Sequence, residues 1–398
     1  MNWQRIKLVD VASNIQTGPF GSQLHQSDYS EEGIPVVMPK DLIDGHISEN
    51  SIARVNKSHV QRLSRHKIEE GDILYSRRGD VGRCAFAEKK EVGWLCGTGC
   101  LRVTIDRSKA NPKFVFYQLQ KSETVGWVVN HAVGATMLNL NTSILNEIPL
   151  EIPELVKQNK IVDILTAYDS LIETNQRQIK LLEEAAQRLY KEWFVDLRYP
   201  GHENVPMMDG VPEGWVKLSM EEIAEYLNGF AFKPSDWGTI GKPIIKIKEL
   251  NEGITETTPR NTGEEIPSKY LITAGDIIFS WSATLTAKIW DSEDGLLNQH
   301  LFKVTPRTGI GKEFVLQSIL KTLNEFGNLT TGATMKHIQR GKLSQVFVVV
   351  PTETLMNNFE EHTTAIRNSI LTLSKNKDLL SEARDRLLPK LMSGEIAV

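Results

Sequence analysis

The feature that most constrains this chain is that its sequence is written twice. Gly134-Ala135-Thr136-Met137 recurs as Gly332-Ala333-Thr334-Met335, an offset of 198 residues. The offset holds without a gap through Leu145/Leu343, Pro153/Pro351, Leu181-Leu182/Leu379-Leu380 and Arg188-Leu189/Arg386-Leu387. Upstream, Gly71-Asp72-Ile73-Leu74 matches Gly275-Asp276-Ile277-Ile278, and Leu101-Arg102-Val103-Thr104 matches Phe302-Lys303-Val304-Thr305. The openings correspond at Trp3…Lys7-Leu8 and Trp215-Val216-Lys217-Leu218, where the offset is 212, so the first copy carries 14 extra loop residues. One short match is chance, but an ordered series along the whole copy is a duplication. The 398 residues therefore make two equivalent units, each with its own core, and not one large domain.

Each copy reads as a mixed domain followed by a long helix. Short apolar runs punctuated by Gly and Pro predict strands at Ile34–Met38, Ile73–Tyr75, Ile277–Phe279 and Val346–Val350. Helical patterns fall at Lys113–Gln120 and Lys312–Leu323. After Pro153 the apolar spacing becomes alternating fours and threes: Ile161, Leu165, Tyr168, Ile172, Asn175, Ile179, Leu182, Ala186, Leu189, Trp193. That is a heptad seam. The second seam runs Phe359, Thr363, Ile366, Ile370, Leu373, Lys377, Leu380, Arg384, Leu387, Leu391, with Pro389 expected to end or kink its helix. Pro200-Gly201 is expected to close the first helix.

A helix of about 40 residues is about 60 Å long, too long to be buried in either domain, so the two should pair with each other. The expected fold class is α+β: two homologous mixed α/β domains separated by two long helices, paired as an antiparallel coiled coil with pseudo-two-fold symmetry. The boundaries are a first domain at 1–153, a first spacer helix at 154–200, a second domain at 201–353 and a second spacer helix at 354–398. An antiparallel register of constant sum sets Ile161 against Leu391, Tyr168 against Arg384, Asn175 against Lys377 and Trp193 against Phe359. Two-fold arrangements of this kind let DNA-binding proteins place equivalent elements about 34 Å apart on the duplex.

A net charge of −4 argues against a non-specific nucleic-acid binder, whose affinity rests on phosphate contacts. Local charge differs: Arg54, Lys57, Arg62, Arg65 and Lys67, with His59 and His66, form a run without an acid, and Arg77 and Arg78 follow. No apolar run nears the roughly 20 residues of a membrane span, and Met1–Arg5 has no signal-peptide core. With three cysteines (Cys84, Cys96, Cys100), the expected location is the reducing cytoplasm.

No catalytic constellation is legible. Asn111-Pro112-Lys113-Phe114 superficially resembles the Asn-Pro-Pro-aromatic motif of adenine methyltransferases, but its third residue is lysine and no Gly-rich loop precedes it, so a helix-start turn is expected. Gly309-Ile310-Gly311-Lys312 lacks the remainder of a phosphate-binding loop. Cys96 and Cys100 lack further ligands at zinc spacing, and Ser318…Lys321 lacks the companions of a serine acyl-enzyme.

The order domain, helix, domain, helix resembles the specificity subunit of type I restriction–modification systems. Carrying the resemblance are Gly18-Pro19-Phe20-Gly21-Ser22, Gly71-Asp72-Ile73-Leu74-Tyr75-Ser76-Arg77, Gly134-Ala135-Thr136 before Asn139, Ile148–Pro153, and Val211-Pro212-Glu213-Gly214-Trp215. It covers essentially the whole chain, and the second copy departs from it in having Trp281 where the first has Arg77. The resemblance implies a non-catalytic subunit whose two target recognition domains each read one half of a bipartite, asymmetric site in double-stranded DNA. It implies helices that set the gap and bind two modification (adenine-methyltransferase) subunits, with restriction (motor and nuclease) subunits completing the enzyme. S-adenosylmethionine, ATP and Mg would belong to those partners, with no cofactor in this chain and no membrane. A two-headed coiled-coil scaffold joining proteins is the alternative. Polar side chains in the matched loops are the candidate readers of DNA. They are Arg54, Lys57, Arg62, Ser76, Arg77, Arg78, Thr136 and Asn139 in the first copy, and Ser280, Trp281, Thr334, Lys336, His337, Gln339 and Arg340 in the second.

Overall fold

The computed structural model describes residues 3–134, 138–282, 284–328 and 340–398. It divides into two compact units, Met1–Ser170 with Ser381–Val398, and Leu171–Leu380. Each long helix is thus shared, a part of it belonging to each unit.

The first unit runs through β1 (Gln4–Lys7), β2 (Ala12–Thr17), β3 (Ile34–Val37), β4 (Ala53–Val55), α1 (Lys57–Arg62), β5 (Ile73–Ser76), β6 (Cys84–Phe86), β7 (Leu95–Cys96) and β8 (Cys100–Ile105). Then come α2 (Pro112–Gln120), α3 (Ser122–His131), β9 (Pro149–Ile152) and the long α4 (Leu155–Tyr190). The central sheet is antiparallel in the order β2-β8-β5-β6. A second sheet pairs β7 with β3 in parallel and β3 with β4 antiparallel, and β1 pairs with β9. Every residue of β5 is buried, which is why Ile73–Tyr75 is a continuous apolar run instead of an alternating one.

The second unit repeats this plan with β10 (Val216–Ser219), β11 (Ala224–Asn228), β12 (Lys242–Ile245), β13 (Ile277–Ser280), β14 (Thr286–Ile289), β15 (Gly295–Leu297) and β16 (Leu301–Pro306). They are followed by α5 (Lys312–Asn328), β17 (Phe347–Val350) and α6 (Glu353–Ser393). Its central sheet is β11-β16-β13-β14, strand for strand the order of the first unit. Its second sheet joins β12 to β15 in parallel, and β10 pairs with β17. The repeat in the sequence is a repeat of topology.

The helix halves extend each unit's core. In the first unit Ile161, Leu165, Leu391 and Met392 are buried with Leu8, Ile73, Leu101 and Phe114. In the second, Tyr190, Trp193, Phe194 and Phe359 are buried with Trp215, Phe279 and Phe314. Within each unit the segments run antiparallel. Ile161 shares a core with Leu391 while Asp169 meets Arg384 at 3.1 Å in the first unit; in the second, Trp193 packs on Phe359 with ring centroids 5.9 Å apart, and Ile179 and Ile370 line one cavity.

Four details differ from expectation. The polar pairing of Lys377 with Asn175 is not made: Lys377 turns to Asp378 at 3.3 Å, and among the described residues no hydrogen bond joins it to Asn175. Arg384 is held by Asp169 instead of facing Tyr168, and the Tyr117 hydroxyl donates to the other oxygen of the same carboxylate at 2.5 Å. Charge satisfaction chose the neighbour one position along. Finally, α6 does not end at Pro389 but continues to Ser393, because Leu391 and Met392 are buried in the first unit's core and hold the last turn in place. The first helix closes earlier than Pro200: α4 stops at Tyr190 and passes into a π-helical turn at Lys191–Val195, with Gly201 left-handed at φ 86°.

Candidate nucleic-acid interface

In the first unit the matched loops converge at one end of the central sheet, and in the second the described loops at 229–230 and 298–301 meet at the equivalent end. In the first unit β5 ends at Ser76, and the Arg77 N–H donates to the Gly99 carbonyl at 2.8 Å, tying the 77–79 turn to the loop before β8. The Leu140 N–H donates to the Arg77 carbonyl at 2.8 Å and the Gly79 N–H to the Leu138 carbonyl at 3.2 Å, while Arg78 bridges Asn139. The Gly97 N–H donates to the Val37 carbonyl and the Gly18 N–H to the Cys100 carbonyl, each at 2.9 Å. Segments far apart in the chain (18–20, 37–38, 76–79, 97–100, 133–134 and 138–140) therefore share one corner. Gly18 permits it: a Cβ there would lie 2.0 Å from the Gly97 oxygen.

Arg77 Nε, Thr98 Oγ1 and Asn139 Oδ1 are covered, yet among the described residues none has a hydrogen bond. Leaving such atoms unpaired costs about 1–3 kcal/mol each, so they are groups that water or a ligand would satisfy. Arg78 is exposed, and Phe20 stands at the rim 52% exposed.

Not every candidate from the sequence faces outward. Ser76 is buried and its hydroxyl donates to the Arg78 carbonyl at 2.9 Å; Ser280 is buried and donates to the Ser282 carbonyl at 3.1 Å. Both serines are spent in building their turns. Trp281 lies beside His300 and Phe302, with ring centroids 6.1 and 5.8 Å away. Thr136, Thr334, Lys336, His337 and Gln339 lie outside the described residues. Arg340 opens the turn Arg340–Gln345, its side chain outside the described part.

The basic run is free of acids only along the chain. In space, Asp28 sits 3.4 Å from His59 and 3.8 Å from Arg62, and Arg54 donates to the Gly33 carbonyl at 3.1 Å. Lys57 is exposed with no ion pair among the described residues. The helix carrying Lys57 and Arg62 also starts from the wrong place. Val37, at the end of β3, belongs to the loop corner, but β4 runs antiparallel to β3, so α1 leaves from the remote end. Arg54, Lys57 and Arg62 are not brought together with Arg77, Arg78 and Asn139.

Two further loops belong to this end of the sheets and are not among the candidates above: Gly97-Thr98-Gly99, just before β8, and its counterpart before β16, Asn298-Gln299-His300. The signal was present: each triplet precedes the matched run Leu101–Thr104 or Phe302–Thr305, and the two differ completely in side chains. Each carries the same backbone bonds, since the Asn298 N–H donates to the Ile245 carbonyl at 3.0 Å and the Gly229 N–H to the Leu301 carbonyl at 3.0 Å.

Turning to chemistry, the Asn111 side chain accepts from the Lys113 and Phe114 N–H groups, so Asn-Pro caps α2 as a helix start. Cys84, Cys96 and Cys100 are buried free thiols, and burial pushes Cys84 and Cys96 up to about 12. The Ser318 hydroxyl is buried against the Tyr190 hydroxyl at 3.0 Å. Among the described residues no group of three or more His, Cys, Asp or Glu is placed to hold a metal ion, and no helix is long and apolar enough to cross a membrane.

Comparison with known proteins agrees with the duplicated plan. Residues 1–184 and 212–354 match the family described as the type I restriction modification DNA specificity domain. The type I restriction enzyme HindI specificity subunit of Haemophilus influenzae is 24% identical, the alignment covering 99% of this chain and all of that protein. The MjaIX specificity subunit of Methanocaldococcus jannaschii is 23% identical over 93% of this chain and 88% of its own length. The crystal structure of a type I restriction–modification S subunit from M. genitalium matches 98% of this chain and 96% of its own at a TM-score of 0.59 and 15% identity, a likeness of fold.

Proposed function

Since this chain belongs to the type I restriction–modification DNA specificity family, with two DNA recognition domains, we propose that each domain reads one half of a bipartite, asymmetric target in double-stranded DNA. In this reading the domains are 1–153 and 201–353, and the spacer helices 154–200 and 354–398 set the gap between half-sites. The helices bind two adenine-methyltransferase subunits, and restriction subunits with motor and nuclease activity complete the enzyme. The chain is a non-catalytic cytoplasmic member of that complex. S-adenosylmethionine, ATP and Mg are held by its partners.

The observation that carries the reading is the loop corner, built in each unit by equivalent strand ends and carrying covered polar groups without partners in the first. Uncharged and singly charged groups on a preorganised loop suit base edges and a few phosphates, consistent with a chain of net charge −4. Ser76 and Ser280 hold the turns, while Arg77, Arg78 and Asn139 face the duplex in the first domain. For the second domain the candidates remain Trp281, Thr334, Lys336, His337, Gln339 and Arg340.

The test is selection from a randomised duplex pool by the full chain in complex with its methyltransferase subunits. The expected outcome is a motif of two short blocks separated by a fixed gap. Replacing 1–153 by the matching domain of a relative should change one block only. A bound pool without sequence preference would refute the reading in favour of a protein-joining scaffold.

A further inference from the structure

We infer that the loop leading into β8 in the first domain and β16 in the second, Gly97-Thr98-Gly99 and Asn298-Gln299-His300, determines the base preference of its half-site. Thr98, Gln299 and His300 are then specificity-determining residues that touch base edges. The inference rests on the DNA-reading function proposed above and names which side chains discriminate.

The two loops share their backbone framework. Both are fixed at the backbone by equivalent bonds: Gly97 N–H to Val37 and Asn298 N–H to Ile245, Gly18 N–H to Cys100 and Gly229 N–H to Leu301. Both are pressed against the glycine of the neighbouring strand end, where a Cβ would meet the Gly97 oxygen at 2.0 Å or the Asn298 oxygen at 2.3 Å. The backbones are therefore held alike, and a loop so held is a preorganised platform.

What differs is the side chains. In the first domain the loop carries one, Thr98, flanked by two glycines; its residue surface is partly exposed while its hydroxyl oxygen is covered and unpaired. Thr98 stands one position before Gly99, whose carbonyl accepts the Arg77 N–H, so the two side chains belong to one loop contact. In the second domain Asn298 is buried and its side-chain oxygen accepts the His300 N–H at 3.3 Å, so Asn298 shapes the loop. Gln299 and His300 are left toward solvent, their side-chain nitrogens 3.5 Å apart.

The chemistry of these groups points to bases and not to phosphates. A phosphate only accepts hydrogen bonds and is best met by positive charge, which Arg78 supplies in the first domain. A threonine offers one donor, acceptor capacity and a methyl group, fitting a base edge or a thymine methyl; a glutamine amide offers a donor and an acceptor together, fitting the adenine N6/N7 edge. Two modular readers that share a framework must differ where they touch bases, and here the framework bonds are shared while the hydrogen-bonding groups are not.

The experiment compares the wild-type complex with the Thr98→Val and Gln299→Leu variants in selection from a randomised duplex pool, together with melting of each protein. Both replacements keep volume and remove hydrogen bonding. Thr98→Val should relax base preference about tenfold or more at one position of one half-site, leaving the other half-site unchanged, and Gln299→Leu should do the same in the opposite half-site. Thr98→Ser, which keeps the hydroxyl, should retain a hydrogen-bonded preference; if Thr98→Val melts early, this variant and Gln299→Leu still decide the question. Failure of the wild type to select any motif would sink the parent function. A wild-type motif left unchanged by all the variants, or weakened equally at every position, would overturn this inference alone.

Discussion

Replacing Gly18 by alanine tests the loop corner at its narrowest point. The added Cβ would stand 2.0 Å from the Gly97 oxygen and 2.8 Å from its carbon, whereas real Cβ atoms stay beyond 3.0 Å. The obstacle is backbone, not the end of a flexible side chain, and Gly97 cannot retreat easily because it donates to Val37 at 2.9 Å. Moving apart by about 1 Å sacrifices the bond from Gly18 to Cys100, the bond from Gly97 to Val37, or both. Each is worth about 1 kcal/mol, and more when a buried group is left unpaired. Overpacking of this kind typically costs 1–3 kcal/mol, so about 2–4 kcal/mol is expected in total. For a domain of this size that lowers the melting midpoint by roughly 4–16 °C. Gly21→Ala is the internal control, since nothing lies within 4 Å of where its methyl group would stand and its φ is ordinary. Thermal melting should separate the two variants, and duplex selection should show the first half-site lost while the second persists. Equal melting of Gly18→Ala and Gly21→Ala, with unchanged selection, would refute the close approach that assembles the corner.

Other expectations follow from the same structure. Asp169→Ala removes a partly exposed ion pair with Arg384, worth up to about 1 kcal/mol, and strands the Tyr117 hydroxyl, costing about 1–3 more; in a Tyr117→Phe background, denaturant titration should show the loss shrinking to about 1 kcal/mol or less. His66 is buried, and desolvation, with Arg65 and Arg102 nearby, lowers it to about 4 from an ordinary 6.5. Its contribution to stability is therefore full above pH 6.5 and lost as pH falls toward 4, and unfolding curves of His66→Gln should lack that part of the acid limb. Burial raises Glu313 above its ordinary 4.5, so its contribution fades as pH rises through the raised value; Glu313→Gln should flatten the stability profile on the neutral side of 4.5. In DNA binding, Arg78→Gln should reduce the salt slope by about one, whereas Arg62→Gln, already beside Asp28 and at the remote end of β4, should leave it unchanged; equal effects would put α1 at the duplex.

Much of this protein was legible in one dimension. The duplication, the buried strands at Ile73–Ser76 and Ile277–Ser280, the cap at Asn111-Pro112 and the two long seams are patterns of near neighbours, and periodicity expresses them directly. The antiparallel direction of the helix segments within each unit also followed, because Ile161 with Leu391 and Trp193 with Phe359 answer to the same apolar spacing, whereas the polar steps of the register, Asn175 with Lys377 and Tyr168 with Arg384, did not. The tertiary structure decided which polar groups remain available. Ser76 and Ser280, read as DNA contacts, turned inward because the strand ends beneath them are fully buried and their turns needed a donor. The acid-free run gained an acid from Asp28, and Arg384 took Asp169 instead of the expected partner, since charges pair with whatever the fold brings within about 4 Å. Thr98, Gln299 and His300 stood unremarked beside a strand until Gly18 and Gly229 let distant backbones meet there. Local spacing determines the elements and their apolar faces, while pairing and exposure depend on residues far along the chain that only folding brings near.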